Sequence, residues 1–301
     1  MIDKLKCVTP ALITPLKSNK ELDMDGMKRL IKYIQGNGLS NLFVLGYAGE
    51  CLSFGRERRK EVIKTARDAA TPGTLLIAGV MDNSTELIAG HIKDAYECGA
   101  DIVLSTPANF LHLTQDELKR MFTDLADSSK LPIIIYNCPE NQHYIEPAVM
   151  SELSKHPQII ALKETSNIDK IQRMMFGIEA NEDFILLSGE EFVYYPALSV
   201  GVEGFIMGGP GNMMPRLCKA VFDHYRDGDY LSAKEGYMRM IAFLYELYFS
   251  LPYSSLMPQI KAVLEIKGIC SRQMADPMKS VTDEHMKEIE SLMKKHGIEK
   301  E

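Results

Sequence analysis

Eight short apolar runs, rich in β-branched residues and free of polar alternation, recur along the first two thirds of the chain. They fall at residues 7–13, 41–45, 75–80, 101–104, 132–136, 159–163, 184–187 and 203–207. A strand with one wet face alternates apolar and polar residues, so unbroken apolar runs of this length read as strands covered on both faces, and hence as a parallel sheet. Between the runs the spacing turns helical. Met27, Leu30, Ile31 and Ile34 stand at i, i+3, i+4 and i+7, and Leu118, Met121, Phe122 and Leu125 repeat the pattern. Asn83 with Glu86 and Thr114 with Glu117 have capping-box spacing, and Asn167 is placed to cap the helix after the sixth run. Eight strand-then-helix units before about residue 228 predict an α/β fold, a (β/α)8 TIM barrel over residues 1–228. Additional C-terminal helices, amphipathic at 233–249 and 260–269, make a helical extension at 229–301. The rival is a doubly wound open sheet. For a dinucleotide-binding form of it a glycine-rich turn should follow the first run, but Thr14-Pro15-Leu16-Lys17 stands there and no glycine comes before Gly26.

Composition removes several classes of function. A net charge of -7 and a pI near 5.6 leave no basic face for nucleic acid, and the Arg56 to Lys60 cluster, with Glu57 inside it, reads as a solvated helix face. The six cysteines are scattered without a C-x-x-C pair, and the seven histidines are isolated. Neither a zinc site nor a disulfide framework is indicated, no metal and no cofactor are expected, and a metal-dependent aldol mechanism is disfavoured. No apolar run approaches the length that spans a bilayer, and Met1-Ile2-Asp3-Lys4 does not begin like a secretory signal, so a cytoplasmic protein with no membrane partner is expected.

In parallel α/β sheets the chemistry sits at the carboxyl ends of the strands. Two of the runs end in groups with chemistry: Tyr136 closes the fifth and Lys163 the sixth. A strand-end lysine taken alone is more often a solvated side chain, and a buried tyrosine more often a core residue bonded to backbone. Together on neighbouring strands roughly 5 Å apart, they make a shared pocket in which a desolvated amine becomes nucleophilic and a phenol can shuttle its proton. The loop Gly46-Tyr47-Ala48-Gly49-Glu50 ends the second run, and its amides could receive an oxyanion, although Gly-x-x-Gly is common in plain turns. Gly208-Gly209-Pro210-Gly211-Asn212 follows the eighth run, where barrels often bind phosphate; a structural turn is the stronger reading.

At these residues the chain resembles the dihydrodipicolinate synthase and N-acetylneuraminate lyase family of pyruvate-dependent class I aldolases. The similarity covers essentially the whole sequence. It is carried by the ordered segments Thr9-Pro10-Ala11-Leu12-Ile13-Thr14-Pro15, Gly46-Tyr47-Ala48-Gly49-Glu50, Pro132 to Pro139 with Tyr136-Asn137-Cys138, Leu162-Lys163-Glu164-Thr165-Ser166 and Leu187-Ser188-Gly189-Glu190. The resemblance implies that Lys163 forms a Schiff base with pyruvate or another 2-keto acid and that Tyr136 relays protons at the adduct. It also implies substrate contacts at Tyr47, Ala48, Gly189, Glu190 and Ile206, with the substrate carboxylate on the loop amides of Tyr47 and Ala48, and a homotetramer built as a dimer of dimers.

The departures bear on the substrate. The family loop usually carries two hydroxyl residues where Tyr47 and Ala48 stand. Dihydrodipicolinate synthases carry a tyrosine pair after the fourth-strand Thr106-Pro107, where this chain has Ala108 and Asn109, and an arginine where it has Asn141. A buried carboxylate needs charge-assisted contacts, so these losses argue against aspartate-semialdehyde. The leading expectation is a lyase or aldolase that cleaves or condenses a 2-keto acid, pyruvate or a 2-keto-3-deoxy sugar acid, through a lysine imine. The alternatives are 4-hydroxy-tetrahydrodipicolinate synthase, N-acetylneuraminate lyase, a dehydratase using the same imine, or a non-catalytic 2-keto acid binder.

Overall fold

A computed structural model describes residues 1–179, 181–253 and 255–300. All eight expected runs are strands: β1 (Val8–Pro10), β2 (Leu42–Val44), β3 (Leu76–Gly79), β4 (Ile102–Ser105), β5 (Ile133–Asn137), β6 (Ile159–Glu164), β7 (Ile185–Ser188) and β8 (Gly204–Met207). They form one sheet in the order β1-β8-β7-β6-β5-β4-β3-β2, each followed by a helix, and the paired registers are parallel. The fold is the (β/α)8 barrel with added C-terminal helices, and the open doubly wound alternative is set aside. Nearly every strand residue is buried, as unbroken apolar runs require.

By their contacts the residues group into two compact units, one of 1–7 with 75–206 and one of 8–74 with 207–301. In the first, strands β3 to β8 alternate with helices whose starts follow local chemistry. Thr114 caps the helix Gln115–Ser128 and Glu117 completes the capping box, while the Asn167 side chain accepts from the Lys170 amide at the start of Ile168–Gly177. The cap expected at Asn83 is Ser84 instead, whose hydroxyl accepts from the Leu87 amide; Asn83 turns its side chain to the Asn109 amide at 3.1 Å. Two adjacent cap-competent residues compete there, and the one whose hydroxyl reaches the third amide begins the helix.

In the second unit, β1 and β2 lie beside one another through the Ala11–Phe43 bridge. The helix Met24–Gly36 buries Met27, Leu30, Ile31 and Ile34, the stripe seen in the sequence. The carboxyl-terminal helices are Pro215–Arg226, Tyr230–Phe249, Met257–Ile266 and Asp283–His296. The Gly208 to Asn212 stretch has a structural role. The fully buried Asn212 amide donates to the Ala11 and Gly208 carbonyls at 2.7 and 2.6 Å, and a Cβ on Gly211 would come within 3.0 Å of Pro10 Cα.

Candidate active site

Tyr136 and Lys163 are the penultimate residues of β5 and β6 and stand opposite one another in the parallel register. Successive strand residues face opposite ways, so the pair shares one face while Asn137 and Glu164, the next pair in register, share the other. The Asn137 amide donates to Glu164 Oε2 at 2.9 Å and also holds Ile145 through its backbone, which fixes both strand ends. On the first face, Lys163 Nζ lies 3.9 Å from the centroid of the Tyr136 ring, in cation–π range. Tyr136 is 4% exposed and Lys163 6%. Among the described residues the amine has no hydrogen bond and no ion pair.

Gly189, the residue after β7, closes the third side. A Cβ there would lie 2.4 Å from Lys163 Cε and 2.2 Å from Thr165 Oγ1, so only glycine leaves the lysine its place. The Thr165 hydroxyl donates to the Tyr136 phenol at 3.3 Å, and the Cys138 thiol donates to Glu140 Oε2 at 2.8 Å. Cys138 and Thr165 also line a cavity of about 240 Å³ with Asn141, Tyr144, Glu164 and Lys170.

Burial dominates the electrostatics. It pushes the Lys163 amine down to about 8, partly offset by the acidic groups of Cys138, Glu140, Glu191 and Glu190. At neutral pH roughly a tenth of such an amine is uncharged, on the order of a hundredfold more than for a free lysine. Burial pushes the Tyr136 phenol well above its ordinary range, with Cys138 adding to it, and pushes the Cys138 thiol up to about 11, with Glu140 adding. Amine and phenol therefore sit together with the base neutral in part and the acid protonated, an arrangement suited to carbonyl attack with proton transfer.

The other expected residues fall as follows. Glu190 follows Gly189; its Oε1 accepts from the Phe192 amide at 3.1 Å, and burial and then the Glu140 carboxylate raise its pKa. Ile206 is fully buried in β8 and offers only apolar surface. Tyr47 and Ala48 belong to the second unit, where Tyr47 is 40% exposed and Ala48 is buried. Their loop is anchored by the Thr14 hydroxyl on the Gly49 carbonyl at 2.7 Å and by Glu50, a left-handed residue at φ 55°. Glu50 is fully buried against the Lys261 ammonium and accepts from the Ala275 amide at 2.7 Å. Cys138 and Glu140 were not expected at the site. Their signal was their place within four residues of Tyr136, just past the strand end.

The model of the dihydrodipicolinate synthetase family matches residues 4–296. The chain belongs to that family. Among curated dihydrodipicolinate synthetase family members, the "4-hydroxy-tetrahydrodipicolinate synthase" of Methanocaldococcus jannaschii is 28% identical over 97% of this chain and 99% of its own. That of Cereibacter sphaeroides is 32% identical over 96% and 98%. Among solved structures, a dihydrodipicolinate synthase from Bacteroides thetaiotaomicron superposes with a TM-score of 0.92 at 27% identity, covering 97% of this chain and 98% of that one.

Proposed function

We propose that the protein is a class I carbon–carbon lyase in which the Lys163 amine attacks the keto carbon of pyruvate or a 2-keto-3-deoxy sugar acid. The observation that carries this reading is the buried amine, without a hydrogen bond or ion pair among the described residues, 3.9 Å from the Tyr136 ring at matching strand ends. Attack gives a carbinolamine, and loss of its hydroxyl as water, with a proton supplied through Tyr136, gives a protonated imine. On cleavage that cation accepts the electrons of the bond between the carbon beside the imine and the next one, as the hydroxyl on that next carbon gives up its proton and leaves as an aldehyde; in condensation it lets the methyl carbon lose a proton and add to an aldehyde. Thr165 orients the Tyr136 hydroxyl. Gly189 leaves room for the adduct, and Glu190 and the apolar Ile206 border the substrate. By likeness to the family, the amides of Tyr47 and Ala48 take its carboxylate. The assembly proposed is a homotetramer, a dimer of dimers, which light scattering would report. All six cysteines are free thiols, in keeping with a reducing cytoplasm.

Borohydride trapping with pyruvate, followed by peptide mass spectrometry, tests the chemistry. The expected result is a pyruvyl adduct on the Lys163 peptide that disappears in Lys163→Ala. Folded protein with no adduct on Lys163, or turnover unchanged in Lys163→Ala, would remove the reading and favour a 2-keto acid binder.

A second reading, 4-hydroxy-tetrahydrodipicolinate synthase, is favoured by the names of the curated relatives. Against it stand Ala108, Asn109 and Asn141, with the Asn141 amide turned onto the Pro107 carbonyl at 2.7 Å. An assay coupling pyruvate and aspartate-semialdehyde to the next reductase separates the two.

A further inference from the structure

The loops that follow β4 and β5, residues 106–114 and 138–146, are joined through side chains. The Asn141 amide donates to the Pro107 carbonyl at 2.7 Å and the Gln142 side-chain amide to the Leu111 carbonyl at 2.9 Å, while the Gln142 backbone donates to Asn109 Oδ1 at 2.9 Å. All three acceptors are amide oxygens, which do not titrate. A fourth tie is different in kind. The Leu113 backbone N–H donates to Nε2 of His143 at 2.9 Å. A ring nitrogen that accepts carries no proton, so the imidazole is neutral, with its proton on Nδ1, 3.3 Å from Asn141 Oδ1. That oxygen also accepts from the His143 amide at 2.9 Å, so ring and loop are held by the same side chain. The His143 residue is only 8% exposed.

Imidazole changes charge between pH 5 and 8, and its charged form has a hydrogen on both nitrogens. Protonating Nε2 sets it against the Leu113 N–H, donor facing donor, and ends that bond. We infer that His143 is a pH-sensitive latch, which when neutral clasps the Leu113 end of the loop after β4 to the loop after β5, and when protonated releases it. The latch stands next to the carboxyl end of β5, where Tyr136 is placed. Burial, and then the charge of His112, hold the ring below its ordinary value of 6.5, with the Ala108 and Leu111 carbonyls opposing them. A released ring titrates near 6.5. Above that pH both forms are neutral and the latch has its full strength; as pH falls below it, the released form takes up a proton that the latched form does not, and the latch weakens. His143 shares its own loop with Cys138, Glu140, Tyr144 and Glu146. From β6 and the helix after it, Glu164 and Lys170 line one cavity with the ring. Burial raises the Glu164 carboxyl, so it too takes up a proton on acidification. Glu164, however, bonds Asn137, whose Oδ1 accepts from the Ile145 amide at 3.1 Å, so its titration is read at Ile145.

The test is amide exchange in the full-length protein at pH 7.5 and 5.5, by mass spectrometry with fragmentation, taking the Leu113 amide relative to the Ile145 amide after correction for intrinsic rates. In the wild type the protection of Leu113 relative to Ile145 is expected to fall by about threefold to tenfold at the lower pH, the range set by one unit of titration below 6.5. His143→Gln offers an oxygen to the same N–H and cannot titrate, so the ratio should become independent of pH. His143→Leu offers no acceptor and should exchange fast at both. The effect should survive His112→Gln, which removes the other imidazole of these loops. A wild-type ratio that does not move with pH overturns the inference, as does one that moves equally in His143→Gln or is abolished by His112→Gln. Equal loss at Leu113 and Ile145 assigns the sensing to Glu164 and overturns it too. None of these readouts involves Lys163, so the latch stands or falls apart from the imine reading.

Discussion

In the proposed reaction Lys163 acts as a neutral amine because it is buried, and burial is unfavourable for an amine. Its pKa is about 8 in the folded chain, against roughly 10.4 unfolded. Below about pH 8 both states hold the proton and the folded state bears the whole desolvation cost, about 3 kcal/mol. As pH rises from 8 toward 10.4 the unfolded chain still binds the proton that the folded one has released, so the penalty fades. Lys163→Met should therefore raise stability at pH 7 and gain nothing near pH 10.5, which urea unfolding at the two pH values would show. The same ionisation predicts that the rate of pyruvate trapping climbs through about pH 8 and then levels. Gly189→Ala places a methyl group 2.4 Å from Lys163 Cε, so trapping should fall by on the order of a hundredfold while far-UV circular dichroism is retained. Lys163 and Tyr136 were legible in the sequence because each ends an apolar run, and the run fixes both its burial and its height in the sheet. Cys138 and Glu140 were not, because their contact depends on how the chain turns at Pro139, which no periodicity encodes.

Among the elements, the strands were the most legible, each observed strand falling within a residue or so of its apolar run except the first, where the run 7–13 narrows to Val8–Pro10. The shortfall has a physical cause: from Ala11 onward the chain bonds to Phe43, Met207 and the Asn212 side chain singly, without a continuous ladder. The helix Asp283–His296 was not singled out, although its Thr282 cap and left-handed Gly297 stop are both plain in the sequence. The ion pair that holds the Gly46 to Glu50 loop was invisible, since Glu50 and Lys261 lie far apart along the chain. Burial pulls the Lys261 pKa down and Glu50 pulls it back. Breaking such a pair leaves one buried charge alone, so Glu50→Gln and Lys261→Met should each cost about 3–5 kcal/mol in urea unfolding. The double substitution Glu50→Leu with Lys261→Met should recover most of that loss.

Over the whole molecule, the second compact unit draws on both ends of the chain, residues 8–74 and 207–301. We propose the boundary at 228 as a division in the order of elements, not as a point at which the chain can be cut. Residues 229–301 supply Lys261, and the helices Pro215–Arg226 and Tyr230–Phe249 pack on one another. A chain ending at 228 should lose cooperative unfolding, followed by circular dichroism because the sequence has no tryptophan.

The separation between strand-end and loop residues also bears on descent. Tyr136 and Lys163 are held by strands that cannot shift without disturbing the sheet, whereas Glu140 and Glu190 stand on connecting segments, where replacement is cheap. On the proposed reading, a lineage can exchange the molecule it processes through a few codon changes in those segments and inherit its bond-making apparatus untouched.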